Sequence, residues 1–211
     1  MADVLIVGAS KGIGLETVRQ ALACGHSVRA FARSAGSIGL TMPALHKITG
    51  DARDSNTVNA ALSGVDVVVQ TLGIGLRELL QPVNLFSQAT SVLVEAMKSQ
   101  GLKRLISVTG FGAGDSAANI SPLQRIPFQL VFGRAYRDKD LQERLIKASP
   151  LNWTIVRPGV LTGGKRKGHY KILCDPVQWR NGTISRADVA DFLVEAATVD
   201  TWLRLAVQLG G

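Results

Sequence analysis

Apolar residues fall along this chain in short runs that alternate with stretches of helical spacing. Residues 4–7 (VLIV) offer no polar position to water, as in a strand covered on both sides. Residues 13–23 follow a helical period in which Ile13, Val18 and Leu22 can face a core, and Gly25 ends it as a C-terminal glycine should. Further strands are predicted over 28–32, around Ile48, and over 65–70 and 104–108. Helices are predicted over 56–62 and 84–100, the latter closed by Gly101. Residues 122–147 read as largely helical, with breaks near Pro127 and Gly133. A sixth strand over 153–157 is stopped by Pro158 and Gly159. A helix over 186–197 takes its cap from Ser185 or the preceding turn, and 203–207 is the last strand. Valine-rich and isoleucine-rich runs, rather than strict alternation, point to a parallel sheet between helices. The fold class is therefore α/β: a Rossmann-type, doubly wound, mostly parallel sheet with helices on both faces, forming one domain over 1–211. Residues 161–183, irregular and rich in glycine and basic side chains, are expected as a small substrate-side excursion.

Composition narrows the partners. The 211 residues are 46% hydrophobic and 19% charged, with a net charge of +8. That balance suits anionic ligands. The densest basic run, Lys165-Arg166-Lys167, is too short to argue for a nucleic-acid groove, so no nucleic-acid partner is expected. Cys24 and Cys174 stand far apart and show no metal-ligand spacing, so reduced thiols and no metal are expected. No basic stretch followed by a long apolar one opens the chain, and no apolar run approaches the roughly 20 residues that span a bilayer. Cytoplasm is the expected location, with no membrane partner.

The turn after the first strand carries the most specific chemistry. It reads Gly8-Ala9-Ser10-Lys11-Gly12-Ile13-Gly14. Gly8 allows a sharp exit from the strand, Gly12 lets backbone approach a pyrophosphate, and Gly14 lets the helix pack close to the sheet. The amides of Gly12 and Ile13 would point at the anion, aided by the helix N-terminus. A strand before the turn and an amphipathic helix after it make a dinucleotide site the expected use. An NAD site places an acid about 20 residues beyond such a turn, on the ribose 2′-hydroxyl. Here no Asp or Glu occurs between Glu16 and Asp51, and the second strand ends in Ala32-Arg33-Ser34. Arg33 can fork onto a 2′-phosphate, Ser34 can add a hydroxyl bond, and Lys11 lies on the same side. The expected cofactor is NADP(H).

Taken together, GASKGIG, the strand end ARS, Gly50-Asp51-Ala52-Arg53-Asp54, Thr71-Leu72-Gly73, the run 153–159 (WTIVRPG) and the run 184–190 (ISRADVA) resemble the atypical short-chain dehydrogenase/reductase group. The combination is similar to its NAD(P)H-binding subgroup that contains biliverdin reductase B (flavin reductase) and the NmrA-like proteins. The resemblance covers nearly the whole chain. It implies that Asp51 and Ala52 flank the adenine, with Asp51 accepting from its amine. It implies that Thr71, Leu72 and Gly73 border the adenosine ribose and the path to the nicotinamide. It also implies that Pro158, Gly159 and Val160 lie against the nicotinamide, where a backbone amide can bond the carboxamide.

The catalytic residues are less plainly written. Short-chain reductases use a tyrosine and a lysine spaced YxxxK, the lysine lowering the tyrosine pKa. This chain has Tyr136-Arg137-Asp138-Lys139, one residue short; i and i+3 still share a helix face, so the pair can touch. The competing reading, favoured here, is a partly buried Tyr136 beside a structural or cofactor-facing Lys139. Thr109, after the fifth strand, is the candidate substrate-contacting hydroxyl. The loops 73–82 and 111–127 are expected to rim a pocket, with Phe111, Ile120, Phe128 and Trp179 as candidates for an apolar platform. The leading function is hydride transfer from NADPH to a flat acceptor: a flavin, quinone or tetrapyrrole. Such chemistry needs chiefly an oriented nicotinamide and a stacked acceptor. A non-catalytic NADP(H) sensor with a protein partner, as in NmrA-like proteins, and a sugar-nucleotide epimerase or dehydratase stay open beside it.

Overall fold

Eight strands build one sheet, and seven of them run parallel. A computed structural model describes residues 1–75, 79 and 81–210. The chain runs β1 (Asp3–Val7), α1 (Gly12–Ala23), β2 (Ser27–Ala32), β3 (Leu45–Thr49), α2 (Ser55–Leu62), β4 (Val67–Gln70), α3 (Leu85–Ser99) and β5 (Arg104–Val108). It continues through α4 (Pro122–Ala148), β6 (Asn152–Pro158), β7 (Val160–Thr162), β8 (Lys171–Leu173), β9 (Thr183–Ser185), α5 (Arg186–Ala196) and β10 (Leu205–Gly210). The sheet order is β3-β2-β1-β4-β5-β6-β10-β8. The order reverses between β1 and β4, so the connections that leave their carboxyl ends diverge to opposite sides and open the crevice in which such sheets bind ligands. In register, Val7 stands opposite Phe31 and Gln70, which brings the turn after β1 level with the ends of both neighbours.

The absence of alternation in the strands is explained by two cores. One face packs Val4, Ile6, Val69 and Ile106 against Val18 and Leu22 of α1 and Val189 and Phe192 of α5. The other packs Leu5, Val68, Leu105 and Ile155 against Val58 of α2 and Leu93 and Met97 of α3. Helices α2 and α5 are capped by the side chain of the residue that precedes them. Asp54 accepts from the Asn56 amide at the start of α2, and Ser185 accepts from Asp188 at the start of α5.

Three expectations need correction. Helix α4 is continuous over 27 residues, with Pro127 inside it. The proline removes an N–H that would bond the carbonyl of Leu123, but this stretch is exposed and water can take that carbonyl. A helix-interior glycine such as Gly133 weakens a helix by about 1 kcal/mol relative to alanine without ending it. The segment 161–183 is not irregular throughout: β7 and β9 pair as a small second sheet, and β8 adds antiparallel to β10. The last strand is Leu205–Gly210, beginning and ending later than expected.

Candidate functional site

The glycine turn is held by its neighbours before any ligand enters. The amide of Gly8 donates to the Phe31 carbonyl at 2.9 Å, tying the turn to the end of β2. Thr71 donates its hydroxyl to the Val7 carbonyl at 3.0 Å. A Cβ on Gly8 would stand 2.9 Å from the Thr71 carbonyl oxygen, and one on Gly14 would stand 2.2 Å from that of Gly8. Both glycines are therefore required by close backbone packing. Gly12 differs: φ is +59°, and a Cβ there would meet nothing within 4 Å. It opens α1, whose first-turn amides have no intrahelical partner and whose first turn holds no acid. An open cradle of donors at a helix N-terminus fits a pyrophosphate.

Arg33 and Ser34 follow β2, and Gly50, Asp51 and Ala52 follow β3. Neither Arg33 nor Lys11 forms an ion pair with another described residue. Asp51 is already engaged: its carboxylate accepts from Arg53 Nε at 3.1 Å and Nη2 at 2.7 Å, and from the Arg53 amide at 2.9 Å. The Arg53 hydrogen bond holds the Asp51 pKa down at about 2, with the charge of Arg33 adding a smaller push.

One cavity of about 1050 Å³ runs from the glycine turn to the side of α4. Every predicted site residue lines it except Gly14, which serves packing instead. Its basic end holds Lys11, Arg33 and Ser34; its other end is walled by Phe111, Ile120, Phe128 and Phe132. Phe128 meets Tyr136 edge-on, with ring centroids 4.6 Å apart. Trp179, expected in this platform, does not line the cavity; it is buried and lies over the Arg157 guanidinium at 4.6 Å. Of the expected rim 73–82, Ile74 and Leu79 line the cavity, while 76–78 and 80 lie outside the described residues.

The three catalytic candidates all line this cavity, with no contact of the YxxxK kind between Tyr136 and Lys139. Thr109 donates its hydroxyl to Glu143 Oε1 at 2.8 Å, which leaves its oxygen as an acceptor toward the cavity. Among the described residues no hydrogen bond joins Tyr136 to Lys139. The Tyr136 oxygen lies against Gly110, where a Cβ would be 2.7 Å from it. Burial raises the Tyr136 pKa to about 12, the opposite of the lowering that a YxxxK lysine produces. Lys139 donates to the Thr109 carbonyl and lies 4.3 Å over the Phe86 ring. Burial brings its pKa down to about 8, with Glu143 and Asp138 opposing the fall.

The backbone beside Pro158 also departs from expectation. The Gly159 amide donates to the Leu209 carbonyl at 3.0 Å, and the Val160 amide to the Gly182 carbonyl at 2.8 Å. Neither amide is left for a carboxamide, because the chain here turns straight from β6 into the β7–β9 sheet. Gly159 is required by that turn, since a Cβ would stand 2.2 Å from the Gly182 oxygen.

Two supports were not foreseen from the sequence. Glu143 and Arg157 are both almost fully buried and paired, with Arg157 Nε 2.9 Å from Glu143 Oε1 and Nη2 also reaching Asp115. This pair ties α4, β6 and the short 3₁₀ helix Gly114–Asn119 together under the cavity. Asp138 accepts from the Phe86 amide at 2.8 Å and from the Ser87 hydroxyl, so α4 caps the start of α3. A charged residue at the end of a buried strand, as Arg157 is in β6, was the available signal.

Known proteins share this frame. A family model described as NAD(P)H-binding matches residues 8–200. The anaerobilin reductase ChuY of Escherichia coli O157:H7 is similar at TM-score 0.82 and 28% identity, covering 99% of this chain and 96% of that one. A short-chain dehydrogenase/reductase of Veillonella parvula in complex with NADP matches at TM-score 0.81 over 100% and 94% of the two chains; at 18% identity it shows the fold alone. An NAD(P)H azoreductase of Xenophilus azovorans is 29% identical over 157 residues, 74% of this chain and 47% of that protein, so the chain spans about half that relative's length.

Proposed function

The chain belongs to the NAD(P)H-binding family, and from that premise we propose that it is an NADPH-dependent reductase of a flat, conjugated acceptor. The observation that carries this is one cavity joining a basic phosphate end to a wall of aromatic rings. Its volume of about 1050 Å³ stands at the upper end of the roughly 300–1,000 Å³ usual for a ligand site, as a dinucleotide beside an acceptor requires. The names of two relatives, an anaerobilin reductase and an azoreductase, support an acceptor with an extended conjugated system.

NADPH supplies a hydride when bound. The residues of the chain supply the rest. Amides of Gly12 and Ile13 receive the pyrophosphate, and Arg33 with Ser34 and Lys11 selects the 2′-phosphate. Phe111, Phe128 and Phe132 exclude water and give the acceptor a face to stack on. Lys139 Nζ, with its pKa near 8, holds a proton at neutral pH that can pass to the reduced acceptor. Tyr136, held neutral by burial, serves as wall and hydrogen-bond donor rather than base.

The test is oxidation of NADPH and of NADH by the purified protein against flavins, quinones and linear tetrapyrroles. Turnover with NADPH and far slower turnover with NADH is expected. Tight NADPH binding with no turnover on any acceptor would sink the reading.

A further inference from the structure

Helix α4 carries a second apolar surface on the side away from the cavity. Leu123, Ile126 and Leu130 recur at spacings of three and four and are 89%, 68% and 82% exposed. Val131 beside them is half exposed. The same turns line the cavity with Phe128 and Phe132 on the other side. A helix that only covered a pocket would be polar on its outer face. A contiguous exposed apolar stripe marks a surface with a partner.

The charge around the stripe is of one sign. Between Pro122 and Arg137 the chain holds no acid, and of its three exposed arginines Arg125 falls on the Phe128 and Phe132 side while Arg134 and Arg137 fall on the side of the stripe. Arg134 and Arg137 continue the line of Leu123, Ile126 and Leu130 one turn further along the helix. The chain as a whole carries +8.

We propose that the first half of α4 docks the protein on an anionic lipid surface. Leu123, Ile126 and Leu130 enter the boundary between headgroups and acyl chains, and Arg137 meets lipid phosphates. An interfacial helix of this kind lies in the plane of the surface, its apolar face roughly 5–10 Å deep. No helix among the described residues is long and apolar enough to cross a membrane, and docking requires none. A second copy of the chain fits the stripe less well. A two-fold contact sets the patch against itself, gathering like-charged arginines, whereas an anionic surface neutralises them. Docking would turn the α4 side of the cavity toward the lipid. It stands apart from the reductase reading, because binding is read without acceptor or turnover.

The experiment is flotation of the full-length protein with phosphatidylglycerol-containing vesicles and with phosphatidylcholine vesicles. Binding to the first, little to the second, and weakening with salt are expected. Arg137→Gln lowers the partition coefficient about fivefold, whereas Arg125→Gln, on the other side of the helix, leaves it nearly unchanged. The triple variant Leu123→Ser, Ile126→Ser, Leu130→Ser falls to background while its melting temperature and NADPH affinity stay at wild-type values. Equal binding to both vesicle types, or an undiminished triple variant, overturns the proposal. So does a wild-type dimer by light scattering that becomes monomeric in the triple variant and ignores vesicles.

Discussion

Adding one methyl group at Gly12 and one at Gly14 should separate the two tasks of the glycine turn. At Gly14 the new Cβ would stand 2.2 Å from the Gly8 carbonyl oxygen and 2.6 Å from the Thr71 hydroxyl. The carbonyl belongs to the backbone of the turn itself, so α1 must move away from β1 by about 1 Å to restore ordinary contact. Overpacking of this kind costs about 1–3 kcal/mol, and a backbone obstacle places Gly14→Ala at the upper end. At 2–4 °C per kcal/mol for a chain of this size, the melting temperature falls by roughly 6–12 °C. At Gly12 the methyl meets nothing within 4 Å, and only the positive φ of +59° opposes it. That left-handed conformation costs an alanine about 1–2 kcal/mol, a fall of roughly 2–8 °C. Yet the methyl occupies the space left open for the pyrophosphate, so Gly12→Ala should lose NADPH affinity by more than about tenfold. Thermal melts with and without NADPH, and fluorescence titration of the cofactor, read both effects. A Gly12→Ala variant that binds NADPH as the wild type does would refute the assignment of the pyrophosphate to this turn.

Other substitutions probe the rest of the site. Arg33→Gln should raise the Kd for NADPH roughly 10- to 100-fold, the worth of a charge-assisted hydrogen bond, and leave NADH unchanged; an equal effect on both would remove Arg33 from the 2′-phosphate. Lys139 loses its proton as pH rises through about 8, so turnover should decline across that pH and the decline should be absent in Lys139→Gln. The same lysine titrates near 10.4 when unfolded. Between about 8 and 10.4 the unfolded chain therefore holds a proton that the folded one has released, and stability contributed by this group rises with pH. Urea melts across that window should show the rise in the wild type and lack it in Lys139→Gln. Glu143→Gln leaves the buried Arg157 with only the more exposed Asp115 as counter-charge, a loss of up to about 3–5 kcal/mol, or roughly 6–20 °C in melting temperature. A change under about 2 °C by calorimetry would show that the pair does not hold the cavity floor.

What the sequence displayed most clearly was local. The glycine turn, the strand before it and the helix after it are contiguous, so residue type and spacing suffice to read them. The place of Arg33 beside the cavity was legible for the same reason, since it stands at the end of a recognisable strand. Elements whose partners lie far along the chain were hidden. The three-residue strands of 160–185 are too short to announce themselves, and only the pairing of Val160 with Thr183 and of Ile172 with Leu209 makes them strands. That pairing also consumes the amides of Gly159 and Val160, which sequence reasoning had assigned to a ligand. The Glu143–Arg157 pair exists because α4 crosses beside β6, and no periodicity signals it. Tyr136 and Lys139 were found as residues, but their relation was set by depth of burial rather than by their spacing.

If this site holds NADPH against a flat acceptor, hydride passes directly between them. The most direct measurement is anaerobic single turnover of NADPH deuterated at nicotinamide C4, mixed with protein and a flavin or linear tetrapyrrole. The account predicts slower oxidation of the cofactor than with unlabelled NADPH, and deuterium recovered in a carbon-bound position of a tetrapyrrole product. Stoichiometric NADPH binding with no oxidation by any acceptor would contradict it.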